Sequence, residues 1–267
     1  MPRPSRDALR RNEQEAAVKL TIIGCSGSFP GPDSPSSCYL LEAEGFRMLV
    51  DFGNGALGAL QRHIGLYDVD AICLSHLHAD HCLDLCPYHV VRTYSPEGPF
   101  GRIPVHAPAD ASRRLAAAYG MPEEPGLETA FDFSRLSPGV FEVGPFEVTA
   151  ARVNHPVETY GFRISYGGRS IAYSADTGES AELVTLAKDA DVLLCEASFL
   201  DLPDLQPDLH LSGRQAAEHA AQAEAGTLVL THLVPWYDRN RILDDASRGG
   251  FDGTIELARS GAVYDLG

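Results

Sequence analysis

Basic residues are scarce in this chain. Its 267 residues carry 21 Lys plus Arg against 37 Asp plus Glu, a formal charge of −16. Binding to phosphate backbones rests on neutralising phosphates with Lys and Arg, which argues against a broad grip on nucleic acid or an anionic membrane surface. Any phosphate chemistry then needs a local cation. No run of about 18 apolar residues occurs, so nothing in the pattern spans a bilayer as a helix. The first 17 residues, MPRPSRDALRRNEQEAA, are charged throughout and lack the apolar stretch of a secretory signal. A cytoplasmic address is the expectation. The six cysteines (Cys25, Cys38, Cys73, Cys82, Cys86, Cys195) form no CxxC pair, so they read as small buried hydrophobes rather than a disulfide framework or a thiolate zinc site.

What is present is ample core material, 44% hydrophobic residues with 22% charged. No repeat, low-complexity tract or long linker interrupts it, and the reading is a flexible polar tail over 1–17 followed by one domain over 18–267. Short apolar runs alternate with Ala-rich helical stretches. Strands are predicted at 19–24, 39–42, 47–52, 71–75, 103–106, 146–153, 161–166, 170–174, 192–196 and 227–231. Helices are predicted at 56–64, in a segment after His81, and at 110–119, 180–188, 212–225 and 242–248. Tyr166-Gly167-Gly168-Arg169 reads as a tight hairpin. The closely spaced early strands and this hairpin favour a layered α/β fold over an all-parallel doubly wound sheet.

The densest chemical feature is Ser75-His76-Leu77-His78-Ala79-Asp80-His81, which follows the apolar run Ala71-Ile72-Cys73-Leu74. Spacing of two on an extended segment leaves His76 and His78 on one side, able to meet one ion. Asp80 and His81 sit where the chain turns toward a helix, so their side chains diverge from that pair and two sub-sites follow more naturally than one. Imidazole and carboxylate suit Zn²⁺ or a similar first-row ion. A pair of such ions polarises a phosphoryl or acyl oxygen and activates water. One His at a strand end is ordinary packing; three His and an Asp within six residues are too costly to bury without a partner. Further ligand types stand just past predicted strands: His155 in Asn154-His155-Pro156, Asp176 in Ser174-Ala175-Asp176-Thr177-Gly178, and His232 after Leu230-Thr231. Each alone is a plain loop residue, whereas together they complete a metal-binding set.

The HxHxDH pattern of His76, His78, Asp80 and His81, with His155, Asp176 and His232 in order, resembles the metallo-β-lactamase superfamily from Val18 onward. The resemblance implies a four-layer αβ/βα sandwich with two divalent ions at one edge, Zn²⁺ with Mn²⁺ or Fe²⁺ as alternatives. It implies His76, His78 and His155 on one ion, Asp80, His81 and His232 on the other, and Asp176 bridging. Asp80 would also orient the attacking water, and Asp51 would support the metal loops. Cys82-Leu83-Asp84 departs from the Gly common there in the family, outside the ligand set.

Leu193-Leu194-Cys195-Glu196-Ala197-Ser198-Phe199 and Asp208-Leu209-His210-Leu211-Ser212 look like the two further loops of the tRNA 3′-processing branch, which puts Glu196 and His210 at its catalytic positions. A carboxylate beside an imidazole keeps it protonated and oriented, fit to protonate a leaving oxygen. Only 20 residues separate His155 and Asp176, too few for the protruding tRNA-gripping arm of that branch. The pattern GCSGS, GPDSP, LGALQRH, LSHLHADHCLDL and DLHLSG is closer to the actinobacterial cyclic-nucleotide phosphodiesterases. The expected activity is therefore hydrolysis of a small phosphodiester, a 3′,5′-cyclic nucleotide such as cAMP. The alternatives are a tRNA 3′-processing endoribonuclease, a lactonase or thioesterase, and last a non-enzymatic metal-stabilised module. The expected partner is the small substrate, with no membrane or extended nucleic acid, and a homodimer fits the relatives. Trp236 and Tyr237 are read as loop residues able to stack on a base. Gly24 to Ser28 reads as a tight turn, and His63, His89, His106 and His219 carry no role.

Overall fold

The computed structural model describes residues 17–204 and 206–267. The predicted tail, apart from Ala17, lies outside them. In chain order the strands are β1 (Val18–Gly24), β2 (Cys38–Ala43), β3 (Phe46–Val50), β4 (Ala71–Cys73), β5 (Ile103–Ala107), β6 (Phe131–Arg135), β7 (Gly139–Val143), β8 (Phe146–Arg152), β9 (Tyr160–Tyr166), β10 (Arg169–Tyr173), β11 (Val192–Glu196), β12 (Thr227–Thr231), β13 (Thr254–Leu257) and β14 (Val263–Leu266). The α-helices are α1 (Ala56–Leu60), α2 (Ala79–Cys82), α3 (Leu85–Thr93), α4 (Ala111–Ala118), α5 (Ala181–Ala187), α6 (Gly213–Ala223) and α7 (Arg239–Ala246).

The strands form two seven-stranded mixed sheets, ordered β14-β1-β2-β3-β4-β5-β6 and β13-β12-β11-β10-β9-β8-β7. Both follow one plan. In the first, antiparallel pairing runs from β14 through β1 and β2 to β3, then parallel pairing runs through β4 and β5 to β6. In the second, antiparallel pairing runs from β7 to β10 and parallel pairing from β10 to β13.

Alternation along the strands accounts for the layering. Tyr39, Leu41, Met48 and Val50 face the space between the sheets, where they meet Val148, Phe162, Ile171, Tyr173 and Leu194. Leu40, Leu49 and Ile72 point the other way, under Leu60, Leu85, Tyr88 and Leu115 of the first helical layer. Leu193, Cys195, Leu228 and Leu230 do the same beneath Leu183, Ala216, Ala220 and Ile242. Three apolar interfaces separate four layers, the expected αβ/βα sandwich. All six cysteines are free and buried. Among the described residues no helix is long and apolar enough to cross a membrane.

The ten expected strands are present. The four unforeseen ones, β6, β7, β13 and β14, are the outermost strands of the two sheets. Most of their residues are exposed or half-buried, so edge strands lack the apolar alternation that marks a strand. Two helices differ in extent. α1 stops at Leu60 rather than Ile64. α7 begins at Arg239 rather than Ile242, because Asp238 caps it by accepting from the Asn240 amide. α6 starts after Ser212, whose side chain forms a capping box with Gln215.

Candidate metal centre

Every side chain expected at the site stands at or beyond the carboxyl end of a strand. The segment after β4 carries His76 and His78 and then turns into α2, which carries Asp80 and His81. From the other sheet come His155 after β8, Asp176 after β10, Glu196 at the end of β11, and His232 after β12. His210 lies just before the cap of α6. The backbone at these places is strained: Asp51, Ala175 and His232 are held at φ of 58°, 54° and 51°, a region costly for residues with a side chain and one that clusters at functional sites.

Two groups of donor atoms share Asp176. His76, His78, His155 and Asp176 form one; Asp80, His81, Asp176 and His232 form the other. In the first, His76 Nε2 lies 3.0 Å from His78 Nδ1, which lies 3.3 Å from His155 Nε2. In the second, His81 Nε2 and His232 Nε2 are 3.2 Å apart, and His232 Nε2 is 3.1 Å from Asp80 Oδ2. Asp176 joins the two: Oδ2 faces His76 Nε2 at 3.6 Å, and Oδ1 faces His81 Nε2 at 3.2 Å and His232 Nε2 at 3.4 Å.

These donors fit divalent ions. A tetrahedral ion with bonds of roughly 2.0–2.1 Å sets its ligands about 3.3 Å apart, the spacing seen here. Imidazole nitrogens facing each other at such range can share only one proton. Asp176 Oδ1 is buried and accepts no hydrogen bond from the described residues, the sort of orphan that an ion satisfies. Burial holds His76, His78 and His155 below the ordinary imidazole pKa, so their lone pairs are free. His81 goes the other way. Burial lowers it, but the charges of Asp176, Asp51 and Asp80 outweigh that and raise it well above the ordinary value. The pocket's field thus favours positive charge.

The outer nitrogens are also fixed, as ligating imidazoles require. His76 Nδ1 pairs with Ser75 Oγ at 3.0 Å, His155 Nδ1 with the Leu209 carbonyl at 2.9 Å, and His232 Nδ1 with Ser198 Oγ at 2.6 Å. His81 Nδ1 lies 2.8 Å from Asp51 Oδ2. Asp51 is fully buried and also accepts from the Ser75 amide and hydroxyl, and from Tyr173 across the inter-sheet core at 2.7 Å.

Glu196 is fully buried and stands 3.0 Å from His210 Nδ1 through Oε1, which also accepts from the Thr177 amide. Its Oε2 accepts from the Ser198 hydroxyl at 2.8 Å. Burial alone would lower His210; the Glu196 charge and hydrogen bond, with Asp176 behind, raise it to about 9. The His210 ring lies 5.6 Å from that of His155 and 5.4 Å from that of His232, beside both donor groups.

Some contributors escaped the sequence reading. The Ser28 amide donates to Asp80 Oδ2 at 2.8 Å, so the 24–28 turn also holds a site residue. A Cβ on Gly27 would sit 2.4 Å from the His232 carbonyl; only glycine permits that approach. Ser198 and Tyr173 were likewise unassigned. A glycine beside a serine after a strand was the only signal for the first, and the other two depend on contacts across the fold. Trp236 is 66% exposed and packs against Phe29 at 5.0 Å between ring centroids.

Sandwich and site together define a metallo-hydrolase. The chain matches the model of the Beta-lactamase superfamily domain over residues 47–233, and it belongs to that superfamily. It is 45% identical to "Uncharacterized protein Rv1339" of Mycobacterium tuberculosis (strain ATCC 25618 / H37Rv), covering 94% of this chain and 93% of the relative. It is 29% identical to "Probable metallo-hydrolase YhfI" of Bacillus subtilis (strain 168), covering 93% and 100%. The crystal structure of that Bacillus subtilis metallo-beta-lactamase fold protein superposes with a TM-score of 0.83 at 28% identity, over 94% of this chain and 100% of the other. Identity to "Ribonuclease Z" of Mycolicibacterium paratuberculosis (strain ATCC BAA-968 / K-10) is 31%, over 82% and 86%.

Proposed function

We propose that this metallo-hydrolase is a phosphodiesterase acting on a small phosphodiester, a 3′,5′-cyclic nucleotide such as cAMP. The observation that carries the reading is the Glu196–His210 pair, a proton-bearing imidazole beside both donor groups. A phosphodiester must expel an alkoxide that needs a proton; a thioester expels a thiolate that leaves without one, and a lactone, which shares the need, is separated by the substrate comparison below.

His76, His78 and His155 would hold one ion, Asp80, His81 and His232 a second, Zn²⁺ being suited to both sets, with Asp176 shared. When bound, such a pair supplies Lewis acidity toward the phosphoryl oxygens and lowers the pKa of water. The protein's own groups do the rest. Asp80, pinned by the Ser28 amide, orients the attacking water. His210 passes its Nε2 proton to the departing ribose oxygen as the P–O bond breaks, while the attacking water gives up a proton to solvent as it adds to phosphorus, and solvent reprotonates His210. Glu196 keeps that imidazole charged and directed.

A second reading, cleavage of RNA, is favoured by the relative bearing the name Ribonuclease Z. Weighing against it are the charge of −16 and the tight β9–β10 hairpin, where no arm extends between His155 and Asp176. The test is turnover of 3′,5′-cAMP, bis(p-nitrophenyl) phosphate, a precursor tRNA and a lactone by zinc-loaded protein. The cyclic nucleotide is expected to give the highest kcat/KM. Faster cleavage of the tRNA or the lactone sinks the proposal.

A further inference from the structure

Three of the eight exposed large hydrophobic side chains among the described residues are gathered around this site: Phe29, Trp236 and Leu202. They stand on the loops that carry Ser28, His232 and His210. Apolar groups left open beside convergent polar ones mark ligand-binding surface. Phe199, which touches His210, also lines a cavity of about 190 Å³ together with Leu200, Leu202, Asp204, Gln206 and Tyr237. The Phe199 ring stands edge-on to His210 at 5.2 Å, and Tyr237 is edge-on to Trp236 at 6.1 Å.

The cavity is small beside the roughly 300–1,000 Å³ of a pocket for a whole drug-sized ligand, and fits one ring system rather than a nucleotide. Its walls are apolar and aromatic, and among the described residues no Lys or Arg lines it, so these offer nothing to a second phosphate. Its polar groups are the Gln206 amide and the Asp204 carboxylate, and an ionised carboxylate only accepts hydrogen bonds. Its wall is braced. Asp201 Oδ2 is held by Arg214 Nε at 3.0 Å, the Asp201 amide donates to Asp245 Oδ2 at 2.8 Å, and the Phe199 amide donates to the Leu211 carbonyl at 3.0 Å. Rigid elements of this kind preorganise a subsite.

We infer that this cavity takes the base of the substrate, flat and bearing an exocyclic amino group, stacked by Phe199 and Tyr237 and read by Asp204 and Gln206. The inference rests on the phosphodiesterase reading and sharpens it: bases such as adenine, whose amino group offers two N–H donors to these acceptors, are favoured over uracil, which offers the single N3–H. The test compares kcat/KM for 3′,5′-cAMP, 3′,5′-cUMP and the base-free diester methyl p-nitrophenyl phosphate. In Leu202→Asp and Tyr237→Ala the ratio of cAMP to base-free diester is expected to fall about tenfold, the order that base stacking on aromatics contributes. Asp204→Asn, an exposed and structurally safe change, is expected to shrink the preference for cAMP over cUMP. Ratios that stay at the wild-type values in all three variants overturn the subsite while leaving the phosphodiesterase reading standing.

If the wild type cleaves none of the three diesters, that reading fails by itself. The cavity is then judged by the fluorescence of Trp236, the chain's single tryptophan. Adenosine is expected to change the emission of the wild type and not that of Leu202→Asp. Equal responses, or none in either protein, overturn it.

Discussion

The two sheets share a plan, and they furnish the site in opposite ways. The first places His76, His78, Asp80 and His81 in one short segment after β4, so four donors come from six residues. The second supplies His155, Asp176 and His232 one at a time from three separate loops, with Glu196 and His210 added from two more places. A dense segment can meet ions from one side only. The dispersed half closes the site, and it alone supplies the shared carboxylate. Chemical weight therefore does not follow density in the sequence.

The largest loss is expected from Asp176→Ala. Asp176 Oδ1 and Oδ2 face both donor groups, so its loss is expected to empty both, with bound zinc falling well below that of the wild type. Turnover should drop by on the order of 10³-fold or more, about 4 kcal/mol of barrier. Elemental analysis of purified protein decides it. Full occupancy in this variant would return primacy to the dense segment. His210→Ala, also in the dispersed half, should retain the metals and lose about 10²–10⁴-fold in kcat, the usual range for a general acid.

The same contrast governs what was legible beforehand. His76 to His81 stand out because polar ligands cannot be buried so densely without a purpose. His155, Asp176 and His232 were visible only as a set, each just past an apolar run. Ser28 was marked only by a neighbouring glycine after a strand, and Ser198 and Tyr173 by nothing. Their contributions are one backbone amide, one hydroxyl between Glu196 and His232, and one phenol reaching from β10 to Asp51. Such contacts exist only once distant elements are brought together. The fold behaved alike: the buried inner strands carry a clear apolar alternation, while β6, β7, β13 and β14 face solvent at the sheet edges and carry little.

A smaller effect separates Glu196 from the ligands. Against burial, the Glu196 carboxylate raises His210 to about 9, above the ordinary 6.5 or so for imidazole. The proton is therefore held below that pH and lost as pH rises through it. Activity should fall on the alkaline side near pH 9. The pair's contribution to stability, complete below the unfolded value, should fade over the same window. In Glu196→Gln the alkaline limb is expected to move toward lower pH, with metal content unchanged. A pH–rate profile that keeps its alkaline limb in place would show that Glu196 does not hold the proton.

The smallest expected effect tests whether the halves are joined beneath the site. Tyr173 belongs to the second sheet and donates to Asp51, which supports His81 of the first. Tyr173→Phe removes the hydroxyl and leaves the ring packed 5.0 Å from Tyr39, so no cavity opens. Asp51 Oδ2 keeps the Ser75 hydroxyl and His81 as partners, so the carboxylate loses a single hydrogen bond. That should lower stability by about 1 kcal/mol, read as a shifted urea midpoint. Partners behind a ligand also tune its grip on the ion, so zinc affinity measured by chelator competition should weaken a few-fold. A shifted midpoint with unchanged zinc affinity would mean that Tyr173 only packs the core, and that the first sheet positions His81 without help from the second.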